Sequence, residues 1–204
     1  MTLGPIAYRT IPGWLTDAEA FCLYDVARKT TGGVFEAGTF YGRSTSALCE
    51  GLRDSMHRDR KFISYDLATG SEKEFLAFMR SLGYCTDDVH LPKQLEETWA
   101  AGSNSTIEAR KHLALTGLDK FVDLRIGDFR QDTGSYSALF FDVTHGPEEI
   151  DANIDHMIRL ANPKGIITMH DMYMDGTLKY VIDKTRGRLN FFRLVDSLAL
   201  FQKL

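Results

Sequence analysis

Apolar residues along the chain fall into short continuous runs that alternate with stretches of helical periodicity. The runs at 34–37, 61–67, 121–126, 138–143 and 165–169 have the length and composition of buried strands. Helices are predicted at 16–29, 44–53, 104–116, 147–160 and 176–184, and the first and third of them begin at a capping residue. Two last strands, 189–195 and 198–203, are joined by the tight Asp196-Ser197 link and predict an antiparallel hairpin.

This alternation predicts one α/β domain over residues 1–204, with a doubly wound, Rossmann-like sheet of seven strands. Helices are expected on both faces, the C-terminal hairpin at one end, and ligands at the carboxyl ends of the strands. Residues 68–103 exceed what a strand-to-helix link needs. They carry one apolar helical face (Phe75, Phe78, Met79, Leu82) and a second short helix at about 91–100, so we predict a lid-like insertion at the ligand edge.

The first strand runs into a sharp turn at residues 34–45, V-F-E-A-G-T-F-Y-G-R-S-T. Glycines at 38 and 42 let the backbone pass close to a ligand, as in nucleotide-cofactor turns. The dinucleotide fingerprint is absent, because Glu36 stands where its first glycine belongs and Phe40 separates the two glycines. A carboxylate here would repel a pyrophosphate but accept hydrogen bonds from an ammonium group. The turn therefore favours a cofactor with an amino acid end, such as S-adenosylmethionine, over an ordinary tight connection.

Acidic residues also end the next two predicted strands. Asp66 stands where α/β folds bind the two ribose hydroxyls of a nucleoside, since one carboxylate accepts from both, although a loop or cap aspartate is the plain alternative. Asp128 follows Gly127, and it or its neighbouring backbone would accept from an adenine amino group, with Phe129 against the ring. An ordinary turn is the alternative there.

Three potential metal ligands, Asp142, His170 and Asp171, end two strands that we expect to be neighbours. Together they would hold a divalent cation and leave positions open for water and substrate oxygens. Alternatively, Asp142 caps the next segment and the other two residues form a hydrogen-bonded pair. His145 lies three residues after Asp142 and is the candidate general base, because its ordinary pKa of ~6.5 is near neutrality; an exposed histidine without a role is the alternative.

Composition narrows the class of protein. A formal charge of −4 with interspersed basic residues gives no basic stripe, so nucleic acid is not an expected partner. Three widely spaced cysteines form neither a disulfide framework nor a metal motif, which suits a reducing cytoplasm. No run approaches the ~18 apolar residues of a membrane span, and nothing resembles a signal peptide. The expected partner is a small-molecule acceptor; assembly into a homo-oligomer stays open.

From about residue 15 to residue 204 the chain resembles the class I S-adenosylmethionine-dependent methyltransferases. E-A-G-T-F-Y-G-R-S, residues 36–44, is similar to the E-x-G-x-x-x-G-x-S motif of metal-dependent O-methyltransferases of the catechol, caffeoyl-CoA and macrocin types. The spacing of Asp142 and His145, followed by N-P-K-G-I-I-T-M-H-D, resembles small bacterial methyltransferases of secondary metabolism. The catechol enzymes differ at the last two positions, with an acidic residue at that of His170 and an amide at that of Asp171.

The resemblance implies roles for particular residues. The cofactor-binding set is Glu36, Gly38, Thr39, Gly42, Ser44, Asp66, Asp128 and Phe129, with the glutamate, the first glycine and the serine at the methionine end. The metal would be bound by Asp142, His170 and Asp171, and Mg²⁺ is the ion expected first. His145 matches the position of the general base. We expect methyl transfer to a hydroxyl of a sugar, a phenol or a secondary metabolite. The rivals are metal-independent methylation, a non-catalytic S-adenosylmethionine-binding protein and, weakest, a nicotinamide oxidoreductase.

Overall fold

The computed structural model describes residues 4–81, 93–143, 146–173 and 176–204, and it contains the seven-stranded sheet that the apolar runs predict. The strands are β1 (Val34–Ala37), β2 (Phe62–Asp66), β3 (Asp123–Ile126), β4 (Tyr136–Phe141), β5 (Ala161–Met169), β6 (Leu189–Val195) and β7 (Leu198–Lys203). The helices are α1 (Asp17–Lys29), α2 (Arg43–Arg53), α3 (Glu72–Ser81), α4 (Lys93–Ala100), α5 (Ser105–Leu115), α6 (Pro147–Leu160) and α7 (Thr177–Lys184).

The strand order is β3-β2-β1-β4-β5-β7-β6, in which β1 to β5 are parallel and the β6–β7 hairpin is antiparallel. The doubly wound fold with a C-terminal hairpin is therefore confirmed. Chain order reverses between β1 and β4, which is where open α/β sheets bind ligands.

Two apolar clusters cover the two faces of the sheet. One packs α1, α2 and α5 through residues such as Leu23, Leu48 and Leu113. The other packs α6 and α7 through Ile154 and Val181. Because both faces are covered, β1 is buried along its whole length and β4 almost so, rather than at alternate positions.

Several predicted boundaries differ from the structure. Strand β5 begins at Ala161 rather than after a turn at 162–165, because that segment bulges out of the ladder: Tyr136 pairs with Ala161, but Ala138 pairs with Ile166. Strand β3 begins two residues later than expected, since residues 119–121 form a 3₁₀ turn. The predicted capping box at Thr16 and Glu19 is present.

Two helices, α3 and α4, lie in the predicted 68–103 insertion, and residues 82–92 between them are outside the described part. Among the described residues, none of the helices has the length and apolar character that crossing a bilayer requires.

Candidate active site

The register of the parallel strands aligns the candidate site residues along one rim of the sheet. Ala37 pairs with Tyr65 on one side and with Phe141 on the other, so Gly38 lies between Asp66 and Asp142. Phe141 in turn pairs with Met169, which places His170 next to Asp142. Residues far apart in the sequence therefore meet because each directly follows a parallel strand.

The glycines of the turn are required by its geometry. Gly38 has a φ of +95°, and a Cβ at this position would lie 2.6 Å from the backbone oxygen of Asp142. Gly42 has a φ of +88° and precedes α2, where a Cβ would lie 3.3 Å from that of Ala109. The first glycine thus lets β1 and β4 meet at the rim, and the second lets α2 pack on α5.

Glu36 does not reach the cavity, contrary to the expectation that it accepts directly from an ammonium group. Strand alternation directs its side chain under α2, where it is fully buried. Its carboxylate accepts hydrogen bonds from the hydroxyls of Ser44 at 2.6 Å, Thr45 at 2.6 Å and Ser64 at 2.5 Å. Glu36 therefore ties the start of α2 to β1 and β2 from below the turn.

The burial of Glu36 predicts a pH-dependent stability. Burial raises the pKa of this carboxyl from 4.5 to about 7, although three hydroxyl donors oppose the shift. Between pH 4.5 and 7 the folded state binds a proton that the unfolded state lacks. The contribution of this proton to the free energy of unfolding is therefore fully present below pH 4.5. It falls by up to about 3 kcal/mol as the pH rises to about 7.

Urea unfolding of Glu36→Gln beside the wild type from pH 4.5 to 8 measures this effect. We expect the difference in unfolding free energy between the two proteins to shift in favour of the variant as the pH rises. Profiles that stay parallel over this range would show that Glu36 titrates normally in the folded state.

Asp66, at the end of β2, faces the cavity next to the turn. Its Oδ2 accepts from the backbone N of Phe40 at 2.7 Å, and its Oδ1 accepts at 2.8 Å from the backbone N of Ala68 and from the hydroxyl of Ser105. Burial raises the pKa of Asp66, and these donors limit the rise. The carboxylate is therefore held rigidly at the position expected for a ribose ligand.

The two residues predicted to flank the adenine, Asp128 and Phe129, also line the cavity. Both carboxylate oxygens of Asp128 accept from the guanidinium of Arg130, at 2.7 to 2.9 Å. Phe129 is 8% exposed and packs against Phe35 and Phe141, so its ring forms part of the floor. Of the remaining predicted residues, Thr39 and Ser44 line the cavity, whereas Gly42 serves the packing of α2.

The three candidate metal ligands converge. One ligand atom from each of Asp142, His170 and Asp171 lies within 4.8 Å of the others. Nδ1 of His170 is 3.3 Å from Oδ1 of Asp142 and 3.6 Å from Oδ1 of Asp171. Asp171 has a φ of +59°, a strained conformation for a residue with a side chain, and such strain concentrates at functional sites.

A third carboxylate, that of Glu19 in α1, faces the same imidazole from the other side. Its Oε2 is 3.5 Å from Nε2 of His170. Burial alone would lower the pKa of His170, but contacts with Asp142, Glu19 and the charge of Asp171 raise it to about 10. The surrounding carboxylates thus favour positive charge at the centre of the cluster, which a proton on His170 or a metal ion would supply.

One cavity of about 930 Å³ is lined by the cofactor turn, by Asp66 and Asp128, and by the cluster of Asp142, His170 and Asp171. Several other residues that line this cavity, including Glu19, Trp14 and Tyr173, were not predicted from the sequence. Trp14 and Tyr173 are 65% and 68% exposed to solvent, and no motif marks them because they come from irregular segments. His145, the candidate base, lies outside the described residues.

Comparisons with known proteins identify the family and the fold. A family model for a methyltransferase domain matches residues 35–172, from β1 through the Asp142 and His170-Asp171 positions. No curated protein sequence matches the chain.

Solved structures share the fold at low sequence identity. The SAH-bound methyltransferase PaMTH1 of Podospora anserina has a TM-score of 0.60 at 14% identity, over 93% of this chain and 79% of its own. An O-methyltransferase of Bacillus cereus in complex with SAH has a TM-score of 0.61 at 14% identity, over 97% and 86%. TomG of Streptomyces achromogenes, an O-methyltransferase involved in tomaymycin synthesis and solved with SAM, has a TM-score of 0.56 at 14% identity, over 93% and 79%. The family match covers most of the sequence and the sheet matches these enzymes, so the chain belongs to the methyltransferase-domain family and has the class I O-methyltransferase fold.

Proposed function

We propose that the protein transfers the methyl group of S-adenosylmethionine to a hydroxyl of a small molecule, with a divalent cation bound beside the cofactor. One observation carries the proposal: Gly38 of the cofactor turn and Asp142 of the acidic cluster are neighbours on one rim and line one cavity. A cofactor held by the turn would therefore lie next to an acceptor held at the cluster.

The cofactor residues that we propose divide by position along the rim. The backbone at Gly38 and Thr39 receives the methionine end, above the buried carboxylate of Glu36. Asp66 accepts from the ribose hydroxyls, and Asp128 with Phe129 flanks the adenine. Small-molecule sites span roughly 300 to 1,000 Å³, and this cavity of about 930 Å³ is near the upper end of that range. Its exposed edge therefore leaves room for an acceptor beside the cofactor.

The donor set fits a divalent cation. Two carboxylates and one imidazole nitrogen converge with their ligand atoms within 4.8 Å. Oxygen ligands suit Mg²⁺, and an imidazole ligand suits a transition ion such as Mn²⁺. We therefore propose Asp142, His170 and Asp171 as ligands and test both ions.

S-adenosylmethionine, when bound, supplies an electrophilic methyl group, and the cation lowers the pKa of an acceptor hydroxyl near it. The protein's own residues orient the partners. The rigid rim holds the acceptor oxygen and the cofactor in line, and the cavity walls exclude water. His145 is our candidate for the group that takes the hydroxyl proton as the new carbon–oxygen bond forms.

Two relatives support methylation at oxygen, because the enzymes of Bacillus cereus and Streptomyces achromogenes are named O-methyltransferases and were solved with SAH and SAM. Metal-independent methylation is the rival mechanism, and the two differ in their response to removal of the cation.

Calorimetry with S-adenosylmethionine, with and without Mg²⁺ or Mn²⁺, tests the proposal. We expect cofactor binding in all conditions and, with an acceptor, turnover that EDTA abolishes. Turnover that resists EDTA would favour the metal-independent enzyme, and no cofactor binding in any condition would refute the proposal.

The charge of the cavity predicts the charge of the acceptor. Its lining includes seven carboxylates: Glu19, Asp66, Asp128, Asp142, Glu149, Asp171 and Asp196. Among the described residues, two arginines line the cavity, and both already donate within the protein, Arg43 to the carbonyls of Ile11 and Leu15 and Arg130 to Asp128. An apolar wall from Phe75, Phe78 and Met79 completes the site. Even with Asp142 and Asp171 offset by the proposed divalent cation, five lining carboxylates remain, so we infer a neutral or cationic acceptor rather than a phosphate or coenzyme A ester.

A panel of paired acceptors checks this inference. For each phenol or sugar, the free hydroxyl compound and its carboxylated or phosphorylated counterpart are assayed at equal concentration. We expect kcat/KM at least about 10-fold higher for the uncharged member, because each like-charge contact costs of the order of 1 kcal/mol or more. Higher values for the anionic members would contradict the inference.

A further inference from the structure

Glu19 lies near the start of α1, and its side chain is buried where three parts of the chain meet. Oε1 accepts from the backbone N of Ser197 at 2.9 Å and from its hydroxyl at 2.6 Å. Oε2 accepts from the backbone N of Thr16 at 2.9 Å and faces Nε2 of His170 at 3.5 Å. Helix α1, the β6–β7 turn and the end of β5 are therefore joined through one carboxylate.

We propose that Glu19 is a positioning residue, which holds the His170 imidazole with Nε2–H directed at α1 and Nδ1 directed at Asp142 and Asp171. The inference rests on the cation site of the proposed function. It extends that site beyond the matched family region, since residues 35–172 include neither Glu19 nor Ser197.

The physical reason lies in the two nitrogens of the ring. A neutral imidazole carries a proton on one nitrogen and a lone pair on the other, and an ionised carboxylate only accepts. When a cation occupies the Nδ1 lone pair, the one remaining ring proton lies on Nε2, where it faces the carboxylate of Glu19. Carboxylates that fix a histidine ligand in this way generally strengthen the metal site.

A capping box alone does not account for Glu19. The box uses one oxygen of the glutamate, at the backbone N of Thr16, and such residues normally lie at the surface. Here the side chain is 1% exposed, and burying a charge is costly unless partners satisfy both oxygens. Ser197 satisfies Oε1 and holds the carboxylate in place, so that Oε2, which accepts from the backbone N of Thr16, is also fixed against Nε2 of His170.

Cation titration of Glu19→Gln tests the proposal. Glutamine preserves length and shape, but one of its two ends is an NH₂ group, so it cannot accept at both Ser197 and His170. We expect Mn²⁺ affinity, measured by calorimetry and by electron paramagnetic resonance, to fall about 10- to 100-fold. SAH affinity should change less than about 3-fold. Ile154→Val, a buried substitution in α6 on the other face of the sheet, controls for a general loss of stability.

NMR of ¹⁵N-histidine-labelled, cation-free protein reports on the ring protons of His170. These signals would not change in Glu19→Gln if the role of Glu19 were purely structural. The wild type should show an Nε2–H proton of His170 that is protected from exchange with water, absent in His170→Asn and shifted or lost in Glu19→Gln. The Ile154→Val control should retain it.

The two proposals fail in different ways. An unchanged Nε2–H signal together with unchanged Mn²⁺ affinity in Glu19→Gln would overturn the role of Glu19 while leaving the cation site intact. A wild-type protein that binds no cation would instead refute the cation part of the proposed function. In that case the NMR signal alone decides whether Glu19 positions His170.

Discussion

Replacing Asp142 by asparagine is expected to lower the rate of methyl transfer about 1,000-fold while SAH affinity changes less than about 3-fold. The substitution preserves shape but removes a charge from the cluster, so the stabilisation of a developing oxyanion, worth several kcal/mol, is lost. The backbone N of Asp142 also donates a hydrogen bond to the backbone oxygen of Ala37. Asparagine retains this contact, so the rim of the sheet should keep its structure.

Single-turnover rates and SAH calorimetry on the same preparation measure the two quantities. Asp155→Asn is the matched control, because it removes a carboxylate that is paired with Arg188 on the surface of α6. A loss of SAH affinity equal to the loss of rate would place Asp142 in the cofactor site instead. Full activity in Asp142→Asn would remove the cluster from the mechanism.

Replacing Gly38 by alanine is expected to weaken SAH binding about 100-fold and to lower the free energy of unfolding by roughly 2–4 kcal/mol. The new Cβ would lie 2.6 Å from the backbone oxygen of Asp142, and backbone atoms cannot move aside as a flexible side chain does. The positive φ adds a further ~1 kcal/mol. Relief of the clash requires β1 and β4 to separate at the cofactor turn.

Gly117→Ala separates the clash from the backbone strain. Gly117, which follows α5, also has a positive φ, of +66°, but a Cβ there meets no atom within 4 Å. We expect the control to lose about 1 kcal/mol of stability and no cofactor affinity. Equal losses of SAH affinity in the two variants would mean that the close approach at Gly38 does not shape the site.

Much of the rim was predictable because the strands that form it, among β1 to β5, are parallel. Once β1, β2, β4 and β5 are recognised as buried strands, the residues that follow each strand must meet at one edge, whatever their distance in the sequence. Gly38, Asp66, Asp142 and His170 were found in this way. Their roles in binding stay proposals.

The contribution of Glu19 was not predictable, although its capping box was. A capping box depends on residues three positions apart and is visible in the sequence. The contact with His170 depends on how α1 packs across β5 and β7, and no local pattern encodes that packing. The same limit applies to Trp14 and Tyr173, which reach the cavity from irregular segments.

Glu36 was located correctly in the sheet but interpreted too directly. A carboxylate beside a cofactor turn is expected from its charge alone to face the cofactor. Strand alternation instead places its side chain under α2, where three hydroxyls enclose it. The face of the sheet to which a side chain points depends on the register of its strand. That register is certain only once the pairing of the strands is known.

A crystal soaked with SAH and Mn²⁺ tests the central claim most directly, because anomalous scattering locates the ion and the sulfur independently. The account predicts an Mn²⁺ peak coordinated by Asp142, His170 and Asp171, with the sulfur of SAH directed toward it from the turn at Gly38. SAH bound away from that turn, or bound there with no Mn²⁺ peak at the three ligands, would contradict it.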